Sequence, residues 1–321
     1  MQQILLVISA VALGLGVGYI TGGFTFSSAV CLVAGIFLVT PSLFKFQVAD
    51  IKIVGKNLPA FGRNLWINYL LLTGVALVIG YLSGDIGIAG ALFLLALLPG
   101  GGMVMMWIKT SGANPKLGFI IFMLNLALLL PVTLIFGAYF DLAAPFFPAP
   151  DLGGTEGIGS GREIKPFAPF MILIVIPFLL SRIARAFLPG VIKFADANGP
   201  MISKLSMFGI VFYLFSLSTS QLLFSVPVSA LITSAVATLA FYAVAFAAAQ
   251  FLTPESPEGR AVYWHIATRY ITLALILAVF VVDKFGATFI MPIMMAYFIQ
   301  IGAAGFLRAR MMARGTTPVA A

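Results

Sequence analysis

Few residues in this chain combine polar chemistry with an apolar setting. Pro99-Gly100-Gly101-Gly102 stands between the apolar runs Phe93–Leu98 and Met103–Ile108. Proline removes a helix donor and clashes with the preceding turn, and three glycines add bare, permissive backbone. The motif predicts an unwound segment with two half-helix ends, whose free amides or carbonyls can bind ions or polar groups. Arg269 falls inside another apolar stretch. A charge there costs at least ~2.5 kcal/mol, so it faces a cavity or partner, or snorkels to the surface. In a cavity its guanidinium can hold a carboxylate or oxyanion. His265, the only histidine, lies one helical turn earlier and can carry a coupling proton or simply pack. Asn125, Thr133, Thr268, Thr272 and the run Ser216–Gln221 complete the intramembrane polar set. A lone Ser or Thr can satisfy itself on its own helix, whereas the Asn125 amide has more groups to satisfy.

The elements that must position these groups follow from composition. Of 321 residues 61% are hydrophobic and 9% charged, against about 25% charged in soluble domains. Ten apolar stretches reach the roughly 20 residues that cross a bilayer: Ile4–Thr21, Thr25–Leu43, Leu65–Leu82, Ile86–Thr110, Lys116–Tyr139, Pro166–Phe187, Leu205–Phe224, Val226–Leu252, Ala261–Val282 and Phe285–Leu307. Met1–Ile20 lacks a basic start and a small-residue cleavage site, so it reads as the first span. With the N-terminus inside, 14 of the 18 Lys and Arg residues fall on the inner side, leaving Arg162, Lys165 and Lys284 outside and Arg269 within a span. That asymmetry follows the positive-inside rule and places both termini in the cytoplasm. It also accounts for the net charge of +8, with no basic domain for nucleic acid. The single cysteine, Cys31, excludes an intrachain disulfide and a thiolate metal cluster.

The halves repeat. Pro99 precedes Lys116, the start of the fifth span, by 17 residues, and Thr268 precedes Phe285, the start of the tenth, by the same number. The fourth and ninth spans then occupy corresponding places in two five-span halves, which an odd number of spans forces into opposite orientations. The expected layout is a first repeat over 1–140, an outer loop over 141–165, an inverted repeat over 166–310 and a cytoplasmic tail over 311–321.

From Pro99 to Asn125 the sequence resembles the bile acid:sodium symporter superfamily, closest to its arsenite permease branch. Met103-Val104, Trp107 and Leu124-Asn125 are similar to that branch's fourth and fifth helices, as are Lys45 and Asn64-Leu65-Trp66. Pro99-Gly100-Gly101, Asn114 and Leu117 fit the bile acid symporter form. The resemblance implies ten helices in core and panel domains, with two broken helices, the fourth and ninth, crossing at the substrate site. The chain departs from it in three places. Near Gly100 the arsenite branch has a cysteine; Val104 and Met105 stand where the sodium symporters carry Ser-Asn; and Thr268, Arg269 and Thr272 occupy a helix in which they carry an acid. Sodium prefers hard, partly anionic oxygen ligands, which these residues do not supply.

The resulting expectation is an all-α integral membrane protein of the inner membrane, a secondary transporter of a small anionic solute. The substrate residues expected are Gly100, Gly101, Gly102, Asn125, Thr268, Arg269 and Thr272, with His265 as a coupling candidate and no metal or cofactor. An arsenite or oxyanion efflux permease coupled to the proton gradient is the alternative, and a drug/metabolite-type ten-span carrier a further one. A membrane enzyme is disfavoured because Asp85, Asp283, Glu255 and Glu258 lie at loops and form no metal-ligand motif. The sequence sets no oligomeric state.

Overall fold

The computed structural model describes residues 2–27, 29, 30, 33, 52–101, 103–152, 171 and 175–315. Most of the expected second span, the first part of the sixth, Cys31, Lys45, Gly102, Arg162 and Lys165 lie outside them. All regular elements among the described residues are helical. They are α1 (Gln2–Thr21), α2 (Lys52–Lys56), α3 (Leu58–Leu65), a π-helical stretch Trp66–Leu71 running into α4 (Leu72–Ser83), α5 (Ile86–Leu97), α6 (Val104–Thr110), α7 (Pro115–Ala127) and α8 (Leu129–Ala143). Later in the chain come α9 (Ile176–Phe187), α10 (Pro189–Phe215), α11 (Ser218–Gln221), α12 (Val228–Leu252), α13 (Pro257–Ala267), α14 (Ile271–Phe285) and α15 (Ile290–Gly315).

Among the described residues, five helical segments are long and apolar enough to cross a membrane: Ile4–Thr21, Leu58–Ser83, Leu129–Phe146, Val228–Leu252 and Ala287–Met311. Ile86–Leu97, Pro115–Ala127 and Lys204–Phe215 are apolar but shorter. The long helices turn large apolar side chains outward, among them Leu70, Leu82, Val236, Phe251 and Phe306. Lipid can solvate such faces, so the chain has the build of an integral membrane protein. By contrast every residue of α5 is buried, and α14 is nearly as enclosed. A helix that is apolar all round belongs inside a bundle, and these two lie at its centre. Around α5 pack α4, α8, α14 and α15, while α1 lies along α10.

Helix ends follow local chemistry. Asp85 caps α5 by accepting from the Ile88 N–H at 3.0 Å, and the same oxygen takes the Thr288 hydroxyl at 2.7 Å. Asn114 caps α7 through the Lys116 and Leu117 amides, while its own N–H donates to Pro257 O at 2.8 Å. Each buried, interrupted helix is thus tied at its outer end to the segment that opens the span after the other one.

Two span boundaries differ from the sequence expectation. The connection expected over 44–64 is helical from Lys52, with Pro59 in the first turn of α3, where its missing N–H costs nothing. The span expected at Leu205–Phe224 is instead the end of a longer helix that stops at Phe215. Its polar run turns back on the freed carbonyls: Ser216 Oγ donates to Phe212 O, Ser220 Oγ to Leu214 O and Gln221 Nε2 to Phe215 O. The unwound residues also bond to the end of the first helical segment, through Phe24 N–H to Ser216 O and Ser218 N–H to Phe24 O. Ser216–Gln221 is therefore occupied by backbone.

Candidate functional site

Both central helices break. α5 stops at Leu97 and α6 begins at Val104; α13 stops at Ala267 and α14 begins at Ile271. The extended residues between them cross antiparallel and pair Pro99 with Arg269. Gly100 N–H donates to Thr268 O and Tyr270 N–H donates to Leu98 O, each at 2.8 Å. These bonds satisfy backbone groups that apolar surroundings would otherwise leave costly and bare. The spacing-based pairing of Pro99 with Thr268 is thus off by one residue: exchanging Leu98 with Thr268 and Gly100 with Tyr270 maps each bond onto the other.

Glycine is required here twice. Gly100 has φ +60°, and a Cβ on it would strike His265 Nδ1. A Cβ on Gly101 would sit 2.8 Å from Arg269 O. A side chain at Gly100 would displace the His265 ring, and one at Gly101 would force the strands apart.

Arg269 is 1% exposed, so it does not snorkel. Because α13 ends at Ala267, the helical spacing that placed it on one face with His265 does not apply. Its Nη1 donates to Ala96 O at 3.2 Å and its Nη2 to Ile266 O. Those carbonyls are the open C-terminal ends of α5 and α13, where helix dipoles favour a cation. One guanidinium therefore caps both half-helices. The Phe241 ring lies 5.7 Å from its carbon, and its Nε is buried without a partner. Of five guanidinium N–H groups, two make contacts among the described residues, and neither acceptor is a carboxylate.

The outer edge of the Arg269 strand is closed by a side chain. Gln300 Oε1 accepts the Arg269 N–H at 2.6 Å, and its Nε2 donates to Arg269 O at 3.3 Å, as a third strand would. Tyr242 donates to the same Oε1 at 3.0 Å. Thr272 pairs with the Tyr297 hydroxyl at 2.6 Å. A cavity on this side is lined by Gly101, Arg269, Thr272, Tyr297 and Gln300, with Met207 and Ile210 of α10 opposite.

A second cavity lies across the crossing, bounded by Pro99, Gly100, Asn125, Phe122, Tyr270 and Leu273. Behind it runs a buried amide chain. Asn68 Nδ2 donates to Asn64 Oδ1, and Asn64 Nδ2 to Asn125 Oδ1, both at 3.0 Å. Asn125 Nδ2 lies 3.4 Å from His265 Nδ1, and His265 Nε2 lies 2.8 Å from Gly118 O. A carbonyl only accepts, so Nε2 carries the hydrogen and Nδ1 is a bare acceptor.

The expected site residues thus converge. Gly100, Thr268 and Arg269 form the crossing, Gly101 and Thr272 line one cavity, Asn125 lines the other, and His265 stands behind it; Gly102 lies outside the described residues. Thr268 turns its hydroxyl back to Trp264 O, leaving its carbonyl to serve the crossing. Sequence reasoning missed Asn68, Tyr242, Tyr297 and Gln300. Asn68 and Gln300 each lie inside an expected apolar span, and that was a usable signal. At the inner ends of the two broken helices Trp107 and Trp264 stack 5.5 Å apart, and Trp264 donates to Ser111 Oγ at 2.7 Å. These contacts hold α6 and α13 as one unit.

No protein-family model matches the chain, and no curated protein matches it.

Proposed function

We propose that the chain is a secondary transporter of a small anionic solute, held at the crossing of its two broken helices. The observation that carries this reading is Arg269: a guanidinium buried beside a cavity, with N–H groups to spare and no carboxylate bonded to it among the described residues. A buried charge needs a counter-charge, and a solute anion supplies it. Thr272, Tyr297 and the first amides of α14 add donors on the same wall, as a helix N-terminus does for anions. Their cavity has aliphatic and thioether walls, which suit a compact carboxylate or oxyanion better than a polyanion.

The proposed architecture is ten spans in two inverted five-helix repeats. The reciprocal Leu98–Tyr270 and Gly100–Thr268 bonds support it, as do the matching end contacts of Asp85 with Thr288 and of Asn114 with Pro257. The spans around α5 and α14 form a core that carries the site, and α1 with α10 belongs to a panel. Motion of one against the other opens the site alternately to the two sides. Placement in the bile acid symporter and arsenite permease superfamily, in the inner membrane with both termini cytoplasmic, is part of the same reading. No hydrolytic or transfer chemistry is assigned to the site.

A thermal-shift screen of the purified chain tests this, with pyruvate, succinate, taurocholate, arsenite and sodium chloride as probes. The reading expects stabilisation by at least one anion in sodium-free buffer and its loss in Arg269→Gln. Stabilisation by sodium alone, or by no anion, overturns it; a response confined to arsenite selects oxyanion efflux as the activity.

A further inference from the structure

We propose that the ion coupled to transport is a proton bound at His265 Nδ1, and that the Asn125–Asn64–Asn68 chain receives it by reversing its hydrogen bonds. The inference rests on the anion-transporter reading for its transport arm only.

The chain as found has one direction. Each amide N–H₂ points toward His265, and the last one ends on the bare Nδ1. Asn68 Nδ2 also donates to the Asn64 backbone carbonyl at 3.0 Å, and among the described residues nothing donates to its buried Oδ1. A proton arriving at Nδ1 turns that acceptor into an N–H donor. Asn125 must then present its carbonyl oxygen, which turns its N–H₂ toward Asn64. Asn64 must turn in the same way, and Asn68 turns with it, giving up its bond to Asn64 O so that its oxygen meets the Asn64 N–H₂. The Asn68 oxygen, idle before, becomes the acceptor that ends the reversed chain. The orphaned acceptor belongs to a fully buried residue, where an unmade bond is costly. A reversible chain requires an acceptor at that end.

The proton balance is simple. A proton from water forms a bond to the Nδ1 lone pair and converts imidazole to imidazolium, while Nε2–H stays on Gly118 O. Release reverses both steps. Nδ1 is beside Gly100, where any Cβ would collide with it, and the neighbouring cavity is lined by Gly100 and Asn125. Water in that cavity is the proton donor.

The charges near His265 decide the coupling sign. Among the helices packed on α13 are α12, α7, α3 and α6. They bring Tyr242, exposed Lys116, half-buried Arg63 and exposed Lys109, while α13 itself carries Glu258, Arg260 and Tyr263. Arg269, four residues on, is itself a buried cation. A protonated His265 makes a second buried cation near the first. A solute anion at Arg269 relieves both, so proton and anion bind together and each strengthens the other's binding. That makes the transporter a proton–anion symporter.

The single histidine makes the test direct. The full chain, purified without a histidine tag and labelled with ¹⁵N-histidine, gives one imidazole to observe in nanodiscs. At alkaline pH the expected spectrum has a protonated Nε2 and a bare Nδ1; the opposite tautomer overturns the proposal. Asn68→Asp places an acceptor-only group at the chain's end, so Asn64 must donate to it and the order reverses. The variant should show Nδ1–H at a pH where the wild type shows none, although residue 68 is three links away. An unchanged imidazole in a folded Asn68→Asp overturns the proposal. If that variant does not fold, Asn68→Leu serves: with the terminal acceptor gone, acid should yield much less imidazolium than in wild type, and an unaltered titration overturns the proposal.

Proteoliposomes supply the transport arm, with radiolabelled pyruvate as probe. His265→Gln keeps a donor for Gly118 O and cannot be protonated. It should retain solute exchange and lose at least tenfold in accumulation driven by an imposed pH gradient; unchanged driven uptake overturns the proposal. Absence of wild-type pyruvate transport counts against the solute reading, and the imidazole spectra then decide the proton site.

Discussion

The two halves of the crossing solve one backbone problem in opposite ways. Each contributes three extended residues, and each gives the other one N–H and one C=O. The middle residue of each strand points its own backbone groups outward. On one side that residue is Pro99, which has no N–H to leave unsatisfied. On the other it is Arg269, whose N–H and C=O both land on Gln300. A symmetric backbone thus carries asymmetric chemistry. The proline strand is closed by deletion of a donor, and its face is free for the amide chain at Asn125. The arginine strand is closed by a side chain and brings a cation to the junction of two helix ends. The paired bonds supply a frame, and the departures from symmetry within it set the chemistry of its two sides.

Removing the cation breaks the comparison most severely. Arg269→Ala leaves the carbonyls of Ala96 and Ile266 without their donor and the cavity without positive charge. Solute transport in proteoliposomes should fall at least a hundredfold, and unchanged transport would remove Arg269 from the site. Arg269→Lys keeps the charge but has no fork to reach two helix ends at once. It should recover part of the binding and little of the thermal stability.

The next test sets Gly100 against a glycine of similar backbone and different surroundings. Gly100→Ala meets a left-handed φ cost of roughly 1–2 kcal/mol and an overpacking cost of roughly 1–3 kcal/mol, because its Cβ strikes His265. Gly84 has φ +68° but nothing within 4 Å of the position a Cβ would take. Gly84→Ala should cost only the backbone part, about 1–2 kcal/mol. Thermal unfolding of both variants in the same detergent reads the difference. Equal losses would mean that the close approach of the two halves contributes nothing.

A smaller pair of changes exchanges the two edge solutions. Pro99→Ala restores an N–H that has no acceptor, and a buried orphan donor costs about 1–3 kcal/mol. Gln300→Leu orphans the Arg269 N–H at a similar cost of about 1–3 kcal/mol, with a further loss from the Tyr242 hydroxyl. Stability losses of the same order, Gln300→Leu the larger, are expected from unfolding curves. A neutral Pro99→Ala would show that its edge is wet.

How much of this is legible in the sequence depends on the kind of signal each part leaves. Pro99 and the glycines break a helix by their own covalent nature, so the first break is readable from residue type. The second break has no proline or glycine between Ala267 and Ile271. It is held open by long-range bonds to Leu98, Gly100 and Gln300, and only the repeat spacing and a charge in an apolar stretch point to it. The destination of the Arg269 guanidinium depends on where α5 ends in space, which no local pattern contains. The Ser216–Gln221 run was visible as polar but not as a helix end, because its side chains satisfy carbonyls already behind them. The amide chain spans Asn64 to His265, and pairing across so many residues follows from packing alone.

The mildest prediction concerns the outer ends of the broken helices, where the same symmetry is held by weaker bonds. Glu258 accepts from its own backbone N–H and, at 3.2 Å, from Asn114 Nδ2, and these donors hold its carboxyl below the usual range. Thr288 makes the corresponding contact to Asp85 at the other end. A depressed carboxylate contributes stability above its unfolded pKa and loses it as pH falls through the lower folded value. The contribution is therefore whole at neutral pH and fades below about 4.5, the ordinary value for glutamate. Glu258 is almost fully exposed, so solvent screens the effect and keeps it small. Glu258→Gln keeps an oxygen for Asn114 and removes the charge. The melting temperatures of wild type and variant should differ slightly at neutral pH and converge as the buffer is taken to about pH 3. A gap that persists in acid would mean that Glu258 acts through packing, and that the tie between α7 and α13 needs no charge.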